Sequence, residues 1–255
     1  MRIVVAGATG TIGRRIGEEL RRRGHEVVPL SRGLGVDVST GAGLDTAMAG
    51  ADAVVDALNI ETLSGRRAAK FFTTCARQLT AAAQKVGVSR IVCVSIAGAA
   101  NPQVHRLFGY YRGKAAQERA YADADVDTTI VLSTQWFELM DDVVRRASLG
   151  PVTVLPTMRM APLTAAGAAE FVVDEIEDSR AGDRCIAVKG PEEMTTLEVV
   201  RRILDARGEM SGRRPKVLRE LPYLGRATAN GGLIPEEATV DPTTLEEWLR
   251  QDPPR

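Results

Sequence analysis

The chain opens on an apolar run, Ile3-Val4-Val5-Ala6, and runs of the same kind return at intervals with helical periodicity between them. Short β-branched runs without polar alternation mark strands buried on both faces. They fall at 1–6, 25–30, within 51–59, at 90–94, 128–133 and 184–188, with weaker strand signals at 35–38, 152–156 and 215–221. Between the first two, Ile12, Ile16 and Leu20 share one helical face, with Arg14, Glu18 and Arg21 to Arg23 on the other. A long helix is predicted over 66–86, with Phe72, Leu79 and Ala82 on its apolar side and Gly87 as its stop. Shorter helices are predicted over 43–48, 165–176, from Thr195 to near Gly208, and from Thr244 through Trp248. Thr195-x-x-Glu198 is a capping box.

Strands alternating with helices define an α/β class and a doubly wound parallel sheet. The expected division is a nucleotide-binding core over 1–150 and a small C-terminal α/β substrate lobe over 151–255, packed as one compact unit. Pro29 interrupts the second strand and predicts a bulge or an unpaired position. Gly225 to Pro235 and the Pro253-Pro254 tail read as loop or disorder.

The link between the first strand and the first helix is Gly7-Ala8-Thr9-Gly10-Thr11-Ile12-Gly13. A strand, a glycine turn and a helix N-terminus make an anion site, because amides without helical partners point out of the turn and the helix dipole favours negative charge. With the following strand the βαβ unit is complete, and the expected anion is the pyrophosphate of a dinucleotide. Gly7 makes the turn, Gly10 lets backbone approach phosphate, and Gly13 lets the helix pack on the strand. Cofactor contacts are therefore expected from Gly7, Thr9, Gly10, Thr11, Ile12 and Gly13 of this Rossmann unit.

The end of the second strand selects the cofactor. A carboxylate there accepts from the ribose 2′-OH of NAD(H), whereas this chain has Ser31-Arg32. Arg32 can offer a 2′-phosphate a charge-assisted contact and Ser31 a hydroxyl, so NADP(H) is preferred and NAD(H) is the alternative. Asp37 has two readings of equal weight, a contact to the adenine amino group or an ordinary cap or turn carboxylate. Ala57, Leu58 and Asn59 follow the next strand and are cofactor-wall candidates, since ligands of such sheets lie beyond the carboxyl ends of strands.

Tyr110 and Lys114 are four apart and share a helical face. A nearby ammonium lowers a phenol's pKa and fits it for proton transfer, and Lys114 can also bond the nicotinamide ribose. The glycine spacing resembles the extended and atypical short-chain dehydrogenase/reductases. Further elements, Phe71-Phe72, Val94-Ser95-Ile96, Tyr110-Tyr111-Arg112-x-Lys114-x-x-x-Glu118, Ser133-Thr134-Gln135-Trp136-Phe137-Glu138 and Leu245-Glu246-Glu247-Trp248-Leu249, resemble the NmrA-like proteins of that group over essentially the full length. The resemblance implies NADP(H) and a pocket roofed by the C-terminal part, in a group of both reductases and cofactor sensors. It also implies a hydroxyl beside Tyr110; here Ser95 is the only one on offer, because Ile96, Ala97, Gly98 and Ala99 follow it.

Gln135, Trp136, Phe137 and Met140 are expected to line an apolar substrate pocket, with core packing an equal reading for Trp136 and Phe137. The residues thus point to an NADP(H)-dependent reductase of a small, fairly apolar carbonyl, quinone or activated alkene, with a non-catalytic sensor as the alternative. An epimerase or dehydratase of a nucleotide sugar uses the same Tyr and Lys, but suits an apolar pocket and a modest lobe less well.

Charge and cysteine content narrow the setting. Lys plus Arg and Asp plus Glu each number 33, so no net basic field recruits nucleic acid or a membrane surface. Cys75, Cys93 and Cys185 are scattered, and with only His25 and His105 in the chain neither a disulfide framework nor a metal site is indicated. No apolar run reaches a membrane span and no leader pattern is seen, so a cytoplasmic protein acting on a small molecule is expected, its oligomeric state open.

Overall fold

The computed structural model describes residues 1–180 and 182–251. Strand β1 (Arg2–Ala6) leads through α1 (Thr11–Arg22) to β2 (Glu26–Leu30), and a 3-10 turn (Arg32–Leu34) precedes α2 (Leu44–Met48). Next come β3 (Ala53–Asp56), α3 (Gly65–Val86), β4 (Arg90–Ile96), α4 (Pro102–His105), α5 (Gly109–Ala122) and β5 (Asp127–Ser133). The second half supplies α6 (Leu139–Ala147), β6 (Ser148–Leu149), β7 (Val152–Pro156), β8 (Arg159–Met160), α7 (Ala165–Glu177) and β9 (Arg184–Lys189). It ends with β10 (Met194–Thr195), α8 (Thr196–Arg207), β11 (Val217–Leu221), α9 (Arg226–Ala229), β12 (Thr239–Val240) and α10 (Leu245–Gln251).

Seven strands form one sheet in the order β12-β9-β5-β4-β3-β1-β2, every pair parallel. The period of two along β1 divides the core: Ile3 and Val5 face α1 and α7, while Val4 and Ala6 face α2 and α3. This is the doubly wound Rossmann architecture expected from the sequence, with helices on both faces.

Three expectations are corrected. No strand forms at 35–38: Asp37 makes one isolated antiparallel bridge to Ala42, and β2 is the sheet edge. Gly35, Gly41 and Gly43 all take positive φ there and fold the segment into turns. Pro29 causes no bulge, because its register with Val5 is unbroken and an edge strand tolerates the missing donor. The chain also does not change lobe at residue 150, since β9, β12 and α7 return to the main sheet and its helical layer. What remains as a lobe is the β11-β7-β6 sheet and the β10-β8 pair, packed with α6, α8 and α10 around Phe137, Leu155, Ile203 and Trp248. The Thr195–Glu198 capping box opens α8 as predicted, α4 and α6 had no sequence prediction, the short α9 forms inside the 225–235 stretch read as loop or disorder, and Pro253-Pro254 lies outside the described residues.

Charges tie α1 to α7. Glu19 accepts from Arg22 and Arg23 at 2.6 Å, and Arg23 reaches on to Asp174 and Glu177 at 2.7 Å. The Arg22 hydrogen bond is the largest cause holding the Glu19 carboxyl down to about 2. A carboxyl lowered in the folded state stabilises above its ordinary pKa and loses that contribution as pH falls through the folded value. Stability is therefore expected to decline between about pH 4.5 and about pH 2, and Glu19→Gln should flatten that limb in urea titrations across the window.

Candidate functional site

The glycine turn lies at the carboxyl end of β1, in the middle of the sheet. Gly7 has φ +81°, and a Cβ there would sit 2.5 Å from the Ala57 carbonyl oxygen, so the backbone after β3 presses against the turn. A Cβ on Gly13 would overlap the Gly7 carbonyl. Both tasks expected of these glycines, turn and close packing, are thus visible in the structure. Gly10 N donates to Gly7 O and Arg14 N to Gly10 O, while the amides of Thr11, Ile12 and Gly13 find no protein acceptor among the described residues. The first turn of α1 has no acidic side chain, and its cap makes no side-chain bond. These free amides, the dipole and the room left by missing Cβ atoms fit a dinucleotide pyrophosphate.

Ser31 and Arg32 follow β2 directly, with the Arg32 side chain exposed on the 3-10 turn, in no hydrogen bond or ion pair among the described residues but near enough to Asp37 for its charge to help lower that carboxyl. Asp37 is committed to its own turn: its Oδ1 accepts from Ser39 N at 2.9 Å and Ser39 Oγ at 2.7 Å, and those bonds lower its pKa. Of its two readings the structure gives the turn carboxylate. Ala57 and the Leu58 amide lie beside Gly7, the Leu58 amide donates to Asp56, and the Asn59 side chain accepts from Ile60 N.

Helix α5 lies close on α3 because of its glycines. A Cβ on Gly109 would meet Gly65 N at 2.5 Å, and one on Gly113 would meet the Ala68 Cβ at 2.7 Å and Phe72 at 2.9 Å. This approach sets both candidate catalytic side chains. Tyr110 packs edge-on against Phe72, 5.9 Å between ring centres, beside Phe108 and Tyr111. Lys114 is 4 % exposed; its Nζ donates to Val94 O and Gln117 Oε1, both at 2.9 Å, and lies 4.5 Å from the Phe72 ring centre.

The expected coupling of Tyr110 to Lys114 is corrected. No hydrogen bond joins them among the described residues; burial raises the Tyr110 phenol, with Arg146 rather than Lys114 the cation that opposes the rise. Burial also lowers the Lys114 ammonium. Ser95, buried at the end of β4, donates to Glu118 and does not stand free beside Tyr110. The other hydroxyls at these strand ends are likewise engaged: Ser133 with Thr134 O and the Trp136 indole, Thr134 with Ala161 O.

Among the pocket candidates, Phe137 and Met140 are core residues of the lobe, and Phe137 stacks on Trp248 at 5.2 Å. Trp136 packs toward the α1/α7 side of the sheet, pinned through Ser133. Gln135 is 8 % exposed, and its Oε1 has no hydrogen-bond partner among the described residues, which leaves a buried acceptor open to a donor such as a carboxamide. The residues that sequence reasoning passed over are Asp56, Gln117 and Tyr121, joined to Lys114 in one buried chain. The signal available was the polar stripe Lys114, Gln117, Tyr121 on a helix face that also carries apolar Tyr111 and Ala115. Among the described residues no cluster suits a metal ion, and no helix is long and apolar enough to cross a membrane.

The fold is a doubly wound Rossmann domain with a glycine turn at the carboxyl end of its first strand. The profile of the NAD(P)H-binding family matches residues 32–179, more than half of the chain, and the chain belongs to that family. No curated protein matches the sequence. Similar solved structures include MoeE5 in complex with UDP-glucose and NAD, at TM-score 0.71 and 16% identity over 98% of this chain and 92% of that one. A Staphylococcus aureus nucleoside-diphosphate-sugar epimerase aligns at TM-score 0.66 and 19% identity, covering 98% of this chain and 100% of that chain. The UDP-glucose 4-epimerase of Thermus thermophilus, in complex with NAD, aligns at TM-score 0.68 and 18% identity, covering 100% of this chain and 94% of that chain. At such identities the likeness is one of fold.

Proposed function

We propose that this protein is an NADPH-dependent reductase of electron-poor acceptors, a quinone or an activated alkene ahead of a plain carbonyl. The observation that carries the reading is the engagement of Ser95 by Glu118, with Ser133 and Thr134 also engaged. A plain carbonyl is best served by a free hydroxyl on its oxygen in addition to the proton donor, as negative charge develops there. A quinone or activated alkene delocalises that charge itself and needs only an apolar, well-placed site. The free amides of Thr11 to Gly13 would hold the pyrophosphate, Arg32 the 2′-phosphate, and Gln135 the carboxamide. When bound, the cofactor supplies the hydride.

Tyr110 serves as the proton donor to the reduced product. A phenol whose pKa is raised stays protonated throughout the neutral range, which suits proton delivery and disfavours the tyrosinate base that sugar epimerisation requires. Tyr110→Phe is expected to lower turnover of NADPH with a screened quinone by about 100-fold. Full turnover in that variant would remove the role. The activity of the unaltered protein should show no tyrosinate limb between about pH 6 and about pH 9.

A second reading, an NADP(H) sensor of the NmrA-like kind, is favoured by the internal satisfaction of both Ser95 and Lys114. Binding that discriminates NADPH from NADP+ without NADPH consumption across quinones, enones and aldehydes would support it, and steady consumption would exclude a purely non-catalytic role.

A further inference from the structure

Asp56 closes β3 with no exposed surface, and none of its bonding partners is cationic. Its Oδ1 accepts from Leu58 N at 3.0 Å, and its Oδ2 accepts from Gln117 Nε2 at 2.7 Å and the Tyr121 hydroxyl at 2.8 Å. Gln117, also without exposed surface, turns its Oε1 to the Lys114 ammonium at 2.9 Å. The orientation of that amide is fixed by chemistry: an ammonium only donates and a carboxylate only accepts. A buried anion on β3 and a buried cation on α5 thus face each other across one glutamine.

We propose that Asp56, acting through Gln117, is the positioning residue that keeps Lys114 charged and directed to the nicotinamide ribose, an inference that rests on the nucleotide-binding reading above. A direct Asp–Lys pair would take the ammonium out of the cleft. The amide spacer instead passes the negative field along while holding Lys114 against Val94 O at the end of β4. Two of the three ammonium protons have protein acceptors and Nζ lies 4.5 Å from the Phe72 ring centre, so a ribose hydroxyl would compete with that ring for the third. Around Lys114 the other titratable groups are Cys93 on β4 and Glu118 on α5, with Tyr121 on α5 and Cys75 on α3 beside Asp56. Cys93, Cys75 and Tyr121 are raised by burial and stay neutral, and Glu118 is raised by burial while accepting from Ser95. Asp56 is therefore the anion to which Lys114 is wired by hydrogen bonds.

The test is NADPH affinity against pH, read by nucleotide fluorescence. The unaltered protein should bind with little change between about pH 6 and about pH 9, because a compensated ammonium stays charged there. In Asp56→Asn the counter-charge is gone and burial lowers the Lys114 pKa further. Affinity should drop about tenfold at neutral pH and fall again as pH rises, since the bond requires the protonated form. Gln117→Met, which breaks the link with the carboxylate kept, should slope in the same direction and carries the test if Asp56→Asn does not fold. In Asp56→Asn combined with Lys114→Met the slope should vanish. Binding by the unaltered protein with a flat profile in a folded Asp56→Asn or Gln117→Met variant overturns the proposal alone. No binding of NADPH or NADH by the unaltered protein overturns the nucleotide reading and this inference with it.

Discussion

Gly13→Ala is expected to abolish binding of NADPH and NADH alike and to destabilise the fold by about 1–3 kcal/mol. The added Cβ overlaps the Gly7 carbonyl and meets Gly7 C at 2.8 Å and Ala8 Cα at 3.1 Å, all backbone atoms that no rotamer change can move. Relief requires α1 to lift away from the turn. Ile12, Ile16 and Leu20 bury that helix against β1 and α7, and Glu19 and Arg23 lash it to α7, so the turn is the part that yields. A displaced turn misaims the amides of Thr11, Ile12 and Gly13. Each charge-assisted bond is worth about 1.5–3 kcal/mol, and losing two weakens binding at least about a hundredfold. Isothermal titration reads the binding loss and urea unfolding the stability loss. Gly10→Ala is the graded companion, because its Cβ would meet only Gly7 O, at 3.3 Å. Binding by Gly13→Ala within tenfold of the unaltered protein would refute this account of the turn.

What could be read ahead of the structure was what short-range spacing determines. The glycine turn, the capping box of α8, the stop at Gly87 and the strand cores each depend on residues within a turn or two of one another. The 35–38 segment failed because four apolar or acidic residues resembled a strand, while the glycines around them chose turns. The return of β9 to pair with β5 had no local signature, since parallel partners 55 apart, such as Thr129 and Arg184, leave no mark in either segment.

The site was half legible for the same reason. A four-residue spacing places Tyr110 and Lys114 on one side of α5, but where that side points depends on Gly109 and Gly113 letting the helix sink onto Gly65 and Phe72. The result sends Lys114 under the strand end to Val94 O and leaves Tyr110 among aromatic rings. Asp56 reads in sequence as the last residue of a buried strand. Only the fold brings it to Gln117 and Tyr121 across more than sixty residues.

Arg32→Asp is expected to reverse the cofactor preference proposed above. The segment after β2 presents Ser31 and Arg32 with no free carboxylate, because Asp37 is held by Ser39. The Arg32 side chain is exposed and makes no hydrogen bond or ion pair among the described residues, so it meets a 2′-phosphate with only its charge interaction with Asp37 to loosen. Replacing it with aspartate removes a charge-assisted contact of about 1.5–3 kcal/mol and adds repulsion, for a loss of NADPH affinity of about 100-fold. The same carboxylate can accept from the 2′-OH of NADH, whose affinity should hold or rise. Because Arg32 is exposed, NADPH binding by the unaltered protein should also weaken as salt is raised from about 0.01 M to about 1 M, with NADH binding much less affected. Parallel titrations of both nucleotides in both proteins at two salt concentrations separate these effects. Equal affinity for NADPH and NADH in the unaltered protein would show that Arg32 is a solvated surface residue and would overturn this account of cofactor choice.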